Sequence, residues 1–142
     1  MKVLTFGVFD YFHYGHLQLF KRAKAHGDYL IVAIQENEEI HKTKPNAQLL
    51  YSLAQRLELI GALRCVDEVV PYKQVCDDVK KIDFDILVLG EDQTHKGFAD
   101  ATDWCKQNGK QVIRLTRTPN ICSSHIKESV AANDNEQTAV KR

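Results

Sequence analysis

The chain has 142 residues, which suits one domain built around one core, and its 44% hydrophobic and 27% charged residues are the values of an ordinary globular protein. Lys plus Arg equal Asp plus Glu at 19 each, so no global field draws the molecule to nucleic acid or to a membrane surface. An anionic ligand would have to be met by a local cluster of donors and cations.

Strand and helix patterns alternate along the chain. Residues 2–9 hold the apolar run Val3-Leu4-Thr5-Phe6 and predict a buried strand. A polar and aromatic turn follows, then a helix over about 15–25, with Leu17, Phe20 and Lys24 on one face, Ala23 beside them and Gly27 as the stop. Residues 29–34 predict a second strand without alternation, as expected when both faces are covered. Residues 35–48 are polar, contain Lys42, Lys44 and Pro45, and predict a long functional loop. A helix over 52–63 carries Leu53, Leu57, Ile60 and Leu63. Then come a strand at 68–71, a short helix at 75–82, a strand at 85–89, a helix at 100–108, a strand at 111–115 and a last helix at 123–131. Residues 132–142 read as a polar tail.

Strands separated by helices predict a single doubly wound, Rossmann-like α/β domain over 1–131, with about five parallel strands and helices on both faces. Ligands of such sheets bind outside the carboxyl ends of the strands. That rule brings residues 9–16, 35–44, 90–97 and 116–124 to one crevice.

No apolar run approaches the roughly 20 residues that span a bilayer, and residues 1–2 lead straight into the first strand pattern rather than a signal peptide. The four cysteines, Cys65, Cys76, Cys105 and Cys122, form no Cys-x-x-Cys pair. Neither a zinc site nor a dithiol redox centre is indicated, and free thiols in the cytoplasm are the expectation.

The chemistry concentrates in Gly7-Val8-Phe9-Asp10-Tyr11-Phe12-His13-Tyr14-Gly15-His16. A strand ends and a helix begins between two histidines, where free N–H groups and the helix dipole favour an anion. Gly15 allows close approach to the backbone. A triphosphate is the natural guest. Two histidines this close could also ligate a metal, although no third ligand lies nearby in sequence, or serve as ordinary polar residues at a helix start.

The same decapeptide resembles the Gly-x-Phe-Asp-x-x-His-x-Gly-His signature of the cytidylyltransferases, within the wider His-x-Gly-His nucleotidyltransferase superfamily. Arg22-Ala23-Lys24, Gly27-Asp28-Tyr29-Leu30, Arg64-Cys65-Val66-Asp67-Glu68-Val69 and Arg117-Thr118-Pro119-Asn120-Ile121-Cys122-Ser123-Ser124 also resemble family segments. The resemblance runs to about Ala131 and is nearest to the bacterial glycerol-3-phosphate branch. It implies transfer of CMP from CTP to a small phosphorylated alcohol in a homodimer, with Mg²⁺ carried by the nucleotide. His13, His16, Lys44 and Arg117 would act on the phosphates, with Lys44 preferred over Lys42. Val8, Phe9, Gly15, Arg64, Asp92, Thr118, Ser123 and Ser124 would bind the nucleotide. Asp92 would accept from the cytosine amino group, which uracil lacks. Asp10, Arg56 and Asp67 would shape the acceptor side.

Each position also has a plainer reading. Asp92 could cap the turn after Gly90, and Arg56, Arg64, Lys42 and Lys44 could be solvated surface charges. The chain departs from the glycerol phosphate pattern at Val8, Asn37, Pro119-Asn120 and Cys122. The segment Gln74-Val75-Cys76-Asp77-Asp78 lacks an acceptor-binding lysine, and its acidic pair points toward a cationic or more polar acceptor. An adenylyltransferase and a non-catalytic nucleotide-binding module are the competing functions.

Overall fold

Along the first strand, Leu4 and Phe6 pack to one side and Val3 to the other, and all three are fully buried. A strand apolar on both faces must sit inside a sheet covered on both sides. In the computed structural model, which describes residues 1–116, this strand is β1 (Lys2–Gly7), flanked by β2 (Tyr29–Gln35) and β4 (Ile86–Gly90). With β3 (Glu68–Tyr72) and β5 (Gln111–Leu115) they form a five-stranded sheet in the order β3-β2-β1-β4-β5. Every pairing is parallel. Pro71, which has no N–H to give a ladder, stands in β3 at the sheet edge, where proline is tolerated.

The helices divide between the two faces. Phe20 and Ala23 of α1 (Tyr14–Lys24) and Ile60 of α3 (Leu53–Gly61) join Val3, Val32 and Val88 in one core. Val75 of α4 (Val75–Asp78) and Phe98, Ala101 and Cys105 of α5 (Lys96–Gln107) join Leu4, Phe6 and Leu87 in the other. The doubly wound arrangement expected from the alternating pattern is therefore present. Its switch point, where the strand order reverses direction, lies between β1 and β4.

The structure corrects several element assignments. Residues 35–48 are not a loop throughout: α2 (Asn37–Thr43) occupies their first half. Its first turn carries Glu38 and Glu39 and its last turn His41 and Lys42, an order that suits the helix dipole. α5 starts at Lys96, before the expected residue 100, because His95 caps it by accepting from the Gly97 amide at 3.1 Å. α4 ends at Asp78. Strand β1 stops at Gly7, leaving Val8 and Phe9 to the turn. Lys24, one turn after Phe20, is partly buried and ends in an ion pair between its ammonium and Asp67. The expected helix at 123–131 and the tail lie outside the described residues.

Candidate active site

Beyond the end of β1 the backbone turns sharply. Phe9 and Tyr11 both adopt left-handed conformations, at φ 54° and 50°. Such positions cost side-chain-bearing residues about 1 kcal/mol or more and persist where surrounding packing enforces them. The enforcement at Phe9 is visible. Its ring folds back over Gly7, meets Phe20 edge-on at 4.9 Å and meets His16 edge-on at 5.4 Å.

His13 is the N-cap of α1, and its Nδ1 accepts from the Gly15 amide at 3.0 Å. His16, three residues on, accepts at its own Nδ1 from the His13 amide at 3.3 Å. The two imidazoles thus form a reciprocal capping box in place of the usual hydroxyl and carboxamide. Their rings stack with centroids 3.9 Å apart and planes 21° from parallel. A neutral imidazole that accepts at Nδ1 carries its proton on Nε2. Both rings are therefore fixed as Nε2–H donors, and the buried His13 Nε2 has no hydrogen-bond partner among the described residues. Burial lowers the pKa of His13. Burial, with His13 adding to it, pushes His16 down to about 3 against the opposing pull of the Asp92 carboxylate.

This tautomer decides between two chemistries. A metal needs an imidazole lone pair, and both Nδ1 lone pairs face backbone amides. What remains is a pair of N–H donors at a helix N-terminus, which suits the oxygens of a polyanion. Among the described residues no group of three or more His, Cys, Asp or Glu is placed to hold a metal ion.

Two buried charges tie this turn to the second segment of the crevice. Arg56, 1% exposed, donates from one terminal nitrogen to the Val8 carbonyl at 2.8 Å and from the other to the Asn37 side-chain oxygen. Burial presses its pKa below the usual guanidinium value, and Asp10 and then Tyr72 oppose that shift. Asp10, also buried, accepts from the amides of Leu50 and Tyr51 at 2.7 and 3.1 Å. The expected acceptor-side residues Asp10 and Arg56 are thus internal ties that hold residues 8–10 against both ends of the 37–51 segment. Lys42 pairs with the buried Glu39 at 2.6 Å, and Gln74 donates to the same carboxylate at 3.0 Å. Lys44, at the α2 C-cap, is exposed and makes no ion pair among the described residues.

The third segment closes the other side. Asp92, exposed in the loop after β4, is close enough to His16 to influence its charge. Gln93 bridges β1 and β4 with its carboxamide, donating to the Phe6 carbonyl at 2.7 Å and accepting from the Gly90 amide at 2.9 Å. Nothing in its local sequence pattern singled it out, because the pairing is between strands distant in the chain. From the fourth segment only Thr116 is described. Arg22 holds its carbonyl at 2.6 Å, which fixes where the chain leaves β5. Arg117, Thr118, Ser123 and Ser124 lie outside the described residues.

Two predicted residues are not brought to the crevice. Asp67 sits at the amino end of the sheet, where it accepts from the Leu30 amide at 2.8 Å and pairs with Lys24. Burial would raise its pKa, but Lys24 and the Leu30 amide hold it below the ordinary value. Arg64 is exposed in the same region, after α3 has run back along the sheet. The acidic pair Asp77-Asp78 also reads differently. Asp78 accepts from the amides of Lys73 and Gln74 at 2.8 and 3.1 Å and faces Lys81, so it caps the turn before α4.

Comparison with known proteins gives this geometry a context. The family model described as cytidylyltransferase-like matches residues 4–129. The glycerol-3-phosphate cytidylyltransferase of Staphylococcus aureus is 38% identical over 136 residues, 94% of this chain and 97% of that protein. The ethanolamine-phosphate cytidylyltransferase of Dictyostelium discoideum is 35% identical over 64% of this chain and 26% of its own length. Among solved structures, a lipopolysaccharide core biosynthesis protein of Thermoplasma volcanium superposes with a TM-score of 0.67 at 26% identity, covering 83% of this chain and 96% of that one. With the paired histidines at the helix start and a match that extends over nearly its whole length, the chain belongs to the cytidylyltransferase-like family.

Proposed function

We propose that this chain transfers CMP from CTP to a small phosphorylated alcohol of the glycerol 3-phosphate type and releases pyrophosphate. The observation that carries the reading is the locked pair of Nε2–H donors on His13 and His16 at the start of α1. An oxygen of the acceptor phosphate attacks the α-phosphorus in line. The bond between that phosphorus and the oxygen bridging to the β-phosphate breaks, and its electron pair leaves with pyrophosphate. The acceptor phosphate is already ionised, so no general base is required. The histidines stabilise the charge that gathers on the leaving oxygens, and because both rings are preorganised they need no rearrangement during the step. Lys44 and Arg117 add positive charge, and Thr118, Ser123 and Ser124 complete the nucleotide contacts.

Asp92 accepts from the cytosine amino group, which selects CTP over UTP. Mg²⁺ would arrive with the nucleotide and would supply neutralising charge to its phosphates, held by them rather than by a dedicated set of protein ligands. Arg64 and Asp67 belong, in this reading, to the face joined in a homodimer rather than to one chain's own crevice. With Asp78 engaged in its turn, the reason to favour a cationic acceptor weakens, and a neutral polyol phosphate is preferred. The identity to glycerol-3-phosphate cytidylyltransferases over nearly the full length of both chains supports the same choice.

The test offers CTP, UTP or ATP with glycerol 3-phosphate, phosphoethanolamine or phosphocholine and measures pyrophosphate release. Turnover highest with CTP and glycerol 3-phosphate is expected. Turnover with ATP alone would assign an adenylyltransferase, and none with any pair would leave a binding module.

A further inference from the structure

The ladder between β1 and β4 ends sooner than its neighbours. β1 pairs with β2 up to Gly7↔Ile34, and β4 pairs with β5 up to Gly90↔Leu115. Between β1 and β4 the last pair is Thr5↔Val88. The two central strands therefore fork at the switch point, and the Phe6 carbonyl and Gly90 amide are left facing the opening. Gln93 fills it. Its side-chain NH₂ donates to Phe6 and its side-chain oxygen accepts from Gly90, which fixes the orientation of the amide. The same residue is held by its main chain: its amide donates to the Gly90 carbonyl at 3.2 Å, and Arg114 donates to its carbonyl at 3.0 Å.

The neighbour so anchored is Asp92. A Cβ on Gly90 would come within 3.2 Å of an Asp92 carboxylate oxygen, so the loop is folded tightly over the strand end. A nucleotide with its triphosphate on α1 and its base beside Asp92 must span this fork. The fork's width then sets the distance between phosphate and base sites.

We infer that Gln93 is a positioning residue for nucleotide selection: by clamping β1 to the β4 loop it holds Asp92 at a fixed separation from His13 and His16. This inference rests on the proposed reading of the site as one for CTP. Three variants test it. Gln93→Leu keeps the bulk and removes both hydrogen bonds. Gln93→Glu sets a carboxylate oxygen against the Phe6 carbonyl. Arg114→Lys loosens the loop from outside.

Affinities for CTP and UTP are measured by calorimetry, and kcat/KM for each at saturating glycerol 3-phosphate. In Gln93→Leu the preference for CTP should fall roughly tenfold, the scale of one or two lost neutral hydrogen bonds. It should fall further in Gln93→Glu, while the acceptor KM stays within about twofold because the acceptor does not cross the fork. A folded Gln93→Leu protein with unchanged preference overturns the inference, even if its melting temperature has dropped. Should both Gln93 variants fail to fold, an unchanged preference in Arg114→Lys overturns it equally. Wild-type protein that neither binds nor turns over CTP sinks the proposed function itself, a result distinct from either of these.

Discussion

The ring of Phe9 lies so closely on Gly7 that a Cβ at residue 7 would stand 2.5 Å from the Phe9 Cζ. The same ring supports His16 edge-on. One missing side chain in β1 therefore positions a donor in α1.

Gly7→Ala should push the ring away and release His16 from its bond to the His13 amide. The overpacked core loses about 1–3 kcal/mol. We expect kcat to fall at least tenfold, with roughly unchanged KM for the acceptor. Restoring room with Phe9→Leu in the same protein should recover stability but not kcat. Unchanged kcat in a folded Gly7→Ala protein would detach the Phe9 ring from catalysis.

The histidines themselves can be tested through turnover and through pH. Replacing His16 with Ala should lower kcat by about 10² or more, as loss of a preorganised donor does elsewhere. Its pKa is lowered from 6.5 to about 3 in the folded protein, so the unfolded chain takes up its proton first as the solution is acidified. The sign follows: the stabilisation is complete above about pH 6.5 and is lost as pH falls from there toward about 3. Urea unfolding measured between about pH 4 and 6 should show stability rising with pH. His16→Asn should flatten that slope. Equal slopes in the two proteins would mean that His16 titrates alike in both states.

Much of this site could be read from residues whose effect is local. The histidines, Gly15 and the apolar run of β1 lie within one short stretch, and their spacing alone placed them at a strand–helix junction. Helix α2 was missed because Ile40 is the only apolar residue it buries, too few to set a period. The start of α5 was missed because its cap is a histidine and Gly97 reads as a breaker. The internal partners of Arg56 and Asp10, namely Val8, Asn37, Leu50 and Tyr51, come from elements whose pairing only the fold determines. The place of Asp67 at the amino end of the sheet is hidden for a similar reason, since a sequence gives no direction to the end of the sheet at which a residue will stand.

The tie between Arg56 and Asn37 carries a stability prediction. A guanidinium that is 1% exposed meets two neutral oxygens, and its Nε has no partner among the described residues. Arg56→Leu leaves the part-buried Val8 carbonyl and Asn37 side-chain oxygen without their donor, at no more than about 1–3 kcal/mol for each group. Asn37→Asp instead gives the buried cation a charged partner at the first position of α2, where the helix dipole also favours an anion. We expect its melting temperature to exceed that of the wild type. A decrease would show that repulsion from the nearby Asp10 outweighs the new pair.

The last prediction separates two lysines that the sequence places side by side. Lys42 is held by Glu39, and that hydrogen bond raises its pKa while lowering that of the carboxylate, to which Gln74 also donates. It is therefore part of the joint between α2 and the turn before α4. Lys44, two residues on, is exposed at the end of α2 with no ion pair among the described residues. A cation with no internal partner can turn toward a phosphate without first breaking a bond, and it gives up less on binding. Lys44→Ala should therefore raise the KM for at least one phosphorylated substrate by roughly tenfold, the usual scale of one lost charge-assisted contact, and leave the melting temperature near that of the wild type. Lys42→Ala should do the reverse, lowering the melting temperature while KM changes little. Initial-rate kinetics and thermal melts on the two proteins decide the matter. If Lys42→Ala alone raises KM, the ion pair with Glu39 must open on binding, and the phosphate-binding role passes from Lys44 to Lys42.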